Sequence, residues 1–214
     1  MERLKQEALL GMFAYGALAI NAPAHGRPLP IAVRLELVEC VPTVRDRVLE
    51  LLADCVRGLK IDALASVPGG GRALVPMLAN QLKLPCIMPT TATSDEFAAV
   101  MLYGPDRAAL TGIKVAIIQE YVRNDNPMAR MANALWSAGC DVTHAVALLD
   151  ADRDTQIARW IASKSVGIDY RPLFTLSEVF ASLRNDPTFS GVVSPEVLAA
   201  AETHFLAGYP SIRP

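Results

Sequence analysis

The fold is decided by the stretch Gly112-Ile-Lys-Val-Ala-Ile-Ile-Gln-Glu-Tyr-Val-Arg-Asn-Asp-Asn-Pro127. Residues 114–118 are typical of a buried strand, and Gln119 and Glu120 stand at its predicted carboxyl end. A short polar loop follows, and a helix is predicted to begin near Pro127. In open α/β sheets ligands bind outside the carboxyl ends of the strands, where a helix N-terminus offers free N–H groups to an anion. The stretch therefore predicts an anion site with the geometry of a phosphate site.

Strand and helix patterns alternate on both sides of this stretch. The predicted strands cover residues 31–37, 63–67, 84–88, 114–118, 142–148 and 168–174. The predicted helices cover residues 2–16, 43–56, 72–82, 128–138, 154–163 and 175–183, with Thr43 and either Thr175 or Ser177 as N-caps and with Gly58 and Gly139 as terminators. Such alternation favours an α/β domain in which helices flank a parallel sheet of about five strands.

The two ends of the chain differ from this central pattern. Residues 17–30 contain three prolines and are predicted to be irregular. Residues 184–214 look like an appended helical arm, with Pro195 in the first turn of a helix that ends by Leu206. We therefore expect a main domain over residues 1–183, in which about 1–36 form a small N-terminal subdomain, followed by the arm.

Composition excludes several classes of protein. A chain of 214 residues, 52% of them hydrophobic, is long enough for one globular domain with a sizeable core. The net charge of −2 and the lack of a basic stripe argue against a nucleic-acid partner. No apolar run reaches the roughly 18 residues of a membrane span, and the N-terminus does not resemble a secretory signal, so we expect a cytoplasmic protein.

Four widely spaced cysteines argue against a metal or redox site. Cys40, Cys55, Cys86 and Cys140 form no CxxC pair. We expect small buried thiols in a reducing compartment.

Two motifs carry a resemblance to a known family. The stretch 112–127 resembles the signature of type I phosphoribosyltransferases, which is a hydrophobic strand, two acidic residues, two apolar residues and a Thr/Gly-rich loop. The stretch Gly167-Ile-Asp-Tyr-Arg-Pro-Leu-Phe-Thr-Leu-Ser-Glu-Val-Phe180 resembles the last strand and closing helix of the orotate phosphoribosyltransferases. The likeness covers roughly residues 5–183. It implies a hood at about 1–36, a homodimer, and phosphoribosyl pyrophosphate (PRPP) bound with Mg²⁺ as substrate.

The resemblance also assigns ligand-binding roles at the central motif. Two carboxylates of the family bind the ribose hydroxyls of PRPP, and here those positions hold Gln119 and Glu120. The loop that wraps the 5′-phosphate would be residues 123–127, where Arg123 and Asn124 would bind the anion directly. Asp125 intrudes there, and two like charges about 4 Å apart repel by about 4 kcal/mol at an effective dielectric near 20. The alternative is a loop that only caps the next helix.

The other loops of the family are matched to different degrees by the residues of this sequence. Gly69, Gly70, Gly71 and Arg72 stand at the pyrophosphate loop, where glycines allow close backbone approach and Arg72 would bind an anion. Residues 88–111 stand at the mobile catalytic loop, which in the family is rich in cations. Arg107 is the only cation between Lys83 and Lys114. Residues 21–34 of the hood contain no lysine and no aromatic residue, so His25 and Arg27 would replace them.

Two hypotheses about function follow, and neither assigns a catalytic residue. The first is an orotate phosphoribosyltransferase-like protein whose PRPP-dependent activity is lost or strongly altered, and which binds a nucleotide-like or other small anionic ligand at the old cleft. The alternative is an active, divergent enzyme that transfers ribose 5-phosphate from PRPP, with Mg²⁺, to a pyrimidine-like base.

Overall fold

A computed structural model describes residues 2–20, 31–34, 36–67, 73–88, 110–122, 127–151 and 167–207. The chain divides into two compact units. Residues Met1–Val48 and Thr175–Pro214 form one, here called the terminal unit, and Leu49–Phe174 form the other, the sheet unit. The expected boundary between a domain ending at residue 183 and an arm beginning at residue 184 stays a prediction.

Helices and strands alternate along the described chain. The strands are β1 (Leu18–Ile20), β2 (Ile31–Val33), β3 (Ala63–Ser66), β4 (Cys86–Ile87), β5 (Lys114–Val122), β6 (Asp141–Asp150) and β7 (Asp169–Thr175). The helices are α1 (Glu2–Ala14), α2 (Glu36–Cys40), α3 (Pro42–Val56), α4 (Leu74–Leu82), α5 (Pro127–Ser137), α6 (Leu176–Asn185) and α7 (Pro195–Ala207), and a 3-10 turn covers Pro187–Phe189.

The main sheet has five strands in the order β4-β3-β5-β6-β7. Parallel pairing joins β3 to β4, β3 to β5, and β5 to β6. The predicted α/β class, with a parallel sheet of about five strands flanked by helices, is confirmed. Parallel strands need helical crossovers, which is why the strand and helix patterns alternate in the sequence.

Burial of β5 on both faces explains its continuous apolar pattern. All six residues from Val115 to Glu120 are buried, as expected of a central parallel strand covered by helices on both faces. One apolar cluster joins β5 residues to Met128, Met131 and Leu135 of α5, whose spacing places them on one helical face. Glycines at positive φ follow two helices as predicted, Gly58 at 85° after α3 and Gly139 at 89° after α5.

Several predicted boundaries were wrong. Residues 18–20 are not irregular, because β1 pairs antiparallel with β2 and so satisfies its backbone groups. The predicted strand 31–37 ends at Val33, and α2 follows it. Thr43 is not the cap of α3, since Pro42 already opens the helix and the Val41 carbonyl accepts from the amides of residues 44 and 45. The strand predicted at 84–88 is reduced to Cys86–Ile87.

The terminal unit brings the two chain ends together. The side chain of Gln6 in α1 donates to Asp186 at 2.7 Å, and the Phe180 and Phe205 rings of α6 and α7 lie 5.7 Å apart. The helices α6 and α7 begin as predicted, α6 with a capping box between Thr175 and Glu178. The helix predicted at residues 154–163 lies outside the described residues.

Candidate functional site

The candidate site lies where β5 extends beyond its neighbour β3. Pairing between these strands ends with Ser66 opposite Ile118. Pairing between β5 and β6 continues to Val122 opposite Asp150. The last four residues of β5 therefore have a described strand partner on one side only. The sequence predicted that the strand ends at Ile118, with Gln119 and Glu120 at its carboxyl end. The predicted end was wrong: β5 continues to Val122 beside β6, so both residues lie within the strand.

The buried polar residues of the described chain all gather at this edge. They are Ser66, Gln119 and Glu120, with relative exposures of 0%, 3% and 9%. Ser66 is the last residue of β3, and its register partner Ile118 immediately precedes Gln119. Burial of polar groups costs free energy unless they find partners. Their concentration at two adjacent carboxyl ends is therefore characteristic of a ligand site in an α/β sheet.

The side-chain amide of Gln119 is held by the strand it belongs to. Its Nε2 donates to the Tyr121 carbonyl oxygen at 2.6 Å. The reverse orientation would set two oxygens at that separation, so the hydrogen bond fixes which atom is the donor. The amide thus satisfies a carbonyl on the stretch of β5 that has outrun β3. Its Oε1 is buried and has no hydrogen-bond partner in the part of the chain that the structure describes.

Ser66 was missed by the sequence reasoning. Its hydroxyl is fully buried and donates to the Val67 carbonyl oxygen at 3.2 Å. The available signal was its position, as a polar residue that ends an apolar strand just before the Pro-Gly turn. A hydroxyl also has two acceptor lone pairs, so Ser66 adds acceptor capacity beside Gln119 and Glu120.

The remaining predicted site residues lie outside the described residues. These are Gly69, Gly70, Gly71 and Arg72 of the glycine-rich turn, and Arg123 and Asn124 of the loop after β5, together with Asp125, His25 and Arg27. Their expected roles stay predictions. The described flanks fix only the order of elements: one connection leads from β3 to α4, and the other from β5 to α5.

The described residues fit a protein-held Mg²⁺ poorly. Magnesium prefers carboxylate, phosphate and water oxygens in octahedral geometry. Among the described residues no group of three or more His, Cys, Asp or Glu side chains is placed to hold a metal ion. At the site itself Gln119 contributes a neutral amide whose nitrogen is already bonded to Tyr121. Within β3 and β5, Glu120 supplies the one carboxylate at this edge.

The cysteines supply no nucleophile at this edge. All four are free thiols, and Cys40 is exposed, which contradicts the expectation of uniformly buried thiols. It is the last residue of the short helix α2, which buries only Val38. Burial raises the pKa of the Cys86 thiol to about 11 and also raises the pKa of Cys140, so both stay protonated near neutral pH. In the described ranges no helix is long and apolar enough to cross a membrane.

Comparison with known proteins identifies the fold. No model of a protein family and no curated sequence matches the chain. Among solved structures, UMP synthase from Leishmania donovani superposes with a TM-score of 0.76 and 20% identity over 94% of this chain. Orotate phosphoribosyltransferase from Aeropyrum pernix superposes with a TM-score of 0.65 and 18% identity, over 82% of this chain and 97% of its own length. The orotate phosphoribosyltransferase of Francisella tularensis superposes with a TM-score of 0.67 and 14% identity, over 92% of this chain and 96% of its own length.

These likenesses concern architecture. The chain spans 42% of the length of the UMP synthase, against nearly the whole of the two single phosphoribosyltransferases. Identities of 14 to 20% establish how the backbone is arranged, and activity must be argued from the site. With the five-stranded sheet and its flanking helices, they confirm the resemblance carried by the two sequence motifs. The chain has the type I phosphoribosyltransferase fold.

Proposed function

We propose that this chain is an orotate phosphoribosyltransferase-like protein that binds a nucleotide-like, anionic ligand at the carboxyl ends of β3 and β5, and whose PRPP-dependent transfer is lost or strongly altered. The observation that carries the proposal is the gathering of Ser66, Gln119 and Glu120, the buried polar residues of the described chain, at this edge. Each offers an oxygen that can accept from a sugar hydroxyl or a base N–H.

The position of the site supports an anionic ligand. The strands β3 and β5 lead through short connections into α4 and α5. Helix N-termini carry partial positive charge and unpaired N–H groups, which favour a phosphate. Arg72 and Arg123 of those connections remain the proposed partners of the anion, and Asn124 and the glycines at 69–71 would supply further donors.

Gln119 supports the loss or alteration of transfer. The family resemblance places a carboxylate at this position, and a carboxylate carries charge and two acceptor oxygens. Gln119 is neutral, its nitrogen is bonded to Tyr121, and a single oxygen remains. The scarcity of cations between residues 84 and 113 also supports the loss or alteration of transfer, because positive charge stabilises a departing pyrophosphate.

The alternative is an active, divergent phosphoribosyltransferase that uses PRPP and Mg²⁺ to modify a pyrimidine-like base. Glu120 favours it, because one buried carboxylate is retained at the end of β5. A homodimer and a cytoplasmic location belong to both proposals. Sedimentation velocity of the purified chain tests the dimer.

Calorimetry and a turnover assay separate the two proposals. Uridine monophosphate and PRPP are titrated into the protein, each with Mg²⁺ and with EDTA, and nucleotide breakdown by pyrophosphate is followed in parallel. The first proposal expects nucleotide binding without pyrophosphate-dependent turnover. Turnover above the protein-free blank supports the alternative instead. Absence of heat from every ligand at millimolar concentration refutes both.

A matched pair of variants assigns the binding to this edge. Glu120→Gln removes the buried carboxylate while keeping the size of the side chain, and is expected to change nucleotide affinity at least about fivefold. Glu50→Gln makes the same chemical change at an exposed position of α3, and is expected to leave affinity unchanged. Equal affinities in both variants place the ligand elsewhere.

A further inference from the structure

We draw no further inference here: the strongest candidate, the open groove of about 850 Å³ between the end of α6, the 3-10 turn and the first half of α7 in the terminal unit, carries nothing, because its charged side chains Arg184, Asp186 and Glu202 already bind one another or their neighbours within this unit and nothing in the described part of the chain shows what occupies it.

Discussion

Replacement of Gln119 by glutamate should make the stability of this protein strongly dependent on pH. The substitution Gln119→Glu preserves size and changes the donor amide into a carboxylate, which only accepts hydrogen bonds. In the structure the Nε2 atom lies 2.6 Å from the Tyr121 carbonyl oxygen in a side chain that is 3% exposed. An ionised glutamate would therefore place charged oxygen against a carbonyl in a buried setting.

The size of the effect has an upper and a lower bound. The folded variant can take up a proton and donate its new O–H to the Tyr121 carbonyl. From an unperturbed glutamate pKa of about 4.3, protonation at pH 7 costs about 3.7 kcal/mol, which is the largest expected loss of unfolding free energy. Loss of the hydrogen bond alone costs about 1 kcal/mol, which is the smallest.

The direction with pH follows from burial. Desolvation and the facing carbonyl raise the carboxyl pKa in the folded state above its unfolded value. The folded state then binds more protons than the unfolded state. Relative to the unaltered protein, the variant is therefore most stable below about pH 4. Stability falls by up to about 1.4 kcal/mol per pH unit as pH rises from the unfolded pKa to the folded pKa.

Urea unfolding of the unaltered protein, Gln119→Glu and Gln119→Met, from pH 4.5 to pH 8, measures this dependence of stability on pH. The difference between the unaltered protein and Gln119→Glu should grow with pH. The difference for Gln119→Met should stay flat, because methionine does not titrate. A difference for Gln119→Glu that is constant over the range would refute the reasoning, since it would mean that a carboxylate at residue 119 is equally well solvated in both states.

Three further outcomes test the fold and its thiols. Gly139→Ala should lower the unfolding free energy by about 1–3 kcal/mol, because φ is 89° and the added Cβ would lie 3.1 Å from a threonine hydroxyl. Gly58→Ala should cost less, because φ is 85° but no atom lies within 4 Å of the added Cβ. Equal losses of unfolding free energy in urea would contradict this. Thr175→Ala removes the capping box of α6 and should cost about 1 kcal/mol in the same assay, and an unchanged midpoint would show that the box is not formed. Iodoacetamide at pH 8 should label the exposed Cys40 before Cys86, whose thiol pKa is raised to about 11 by burial; peptide mass spectrometry that finds Cys86 first would contradict the burial.

Local signals in the sequence predicted the elements that depend on local chemistry. The apolar runs that became β3 and β5 are continuous because both faces of each strand are buried. Gly139 ends α5 because only glycine takes positive φ without strain. Thr175 and Glu178 are three residues apart, and this spacing alone specifies the N-terminus of α6.

Elements that depend on distant partners were predicted badly. The strand β1 lies at the edge of a segment rich in proline, and it is a strand because Leu18 to Ile20 pair with residues 31 to 33. The length of β5 is set in the same way. Three of its last four residues are polar or aromatic, and they stay extended because β6 runs alongside to Asp150. Pairing between remote segments leaves no periodicity in either segment alone.

The candidate site combines both kinds of determinant. The sequence located Gln119 and Glu120, because two polar residues after an apolar strand are conspicuous. The bond from Gln119 to Tyr121 was not predicted, since it lies on the stretch of β5 that continues beyond its pairing with β3. An ionised acid at residue 119 could not donate to that carbonyl. The residue whose side chain bonds this edge of the sheet therefore also presents a neutral amide where the family resemblance places a charge, so one side chain serves the sheet and is part of the proposed ligand site.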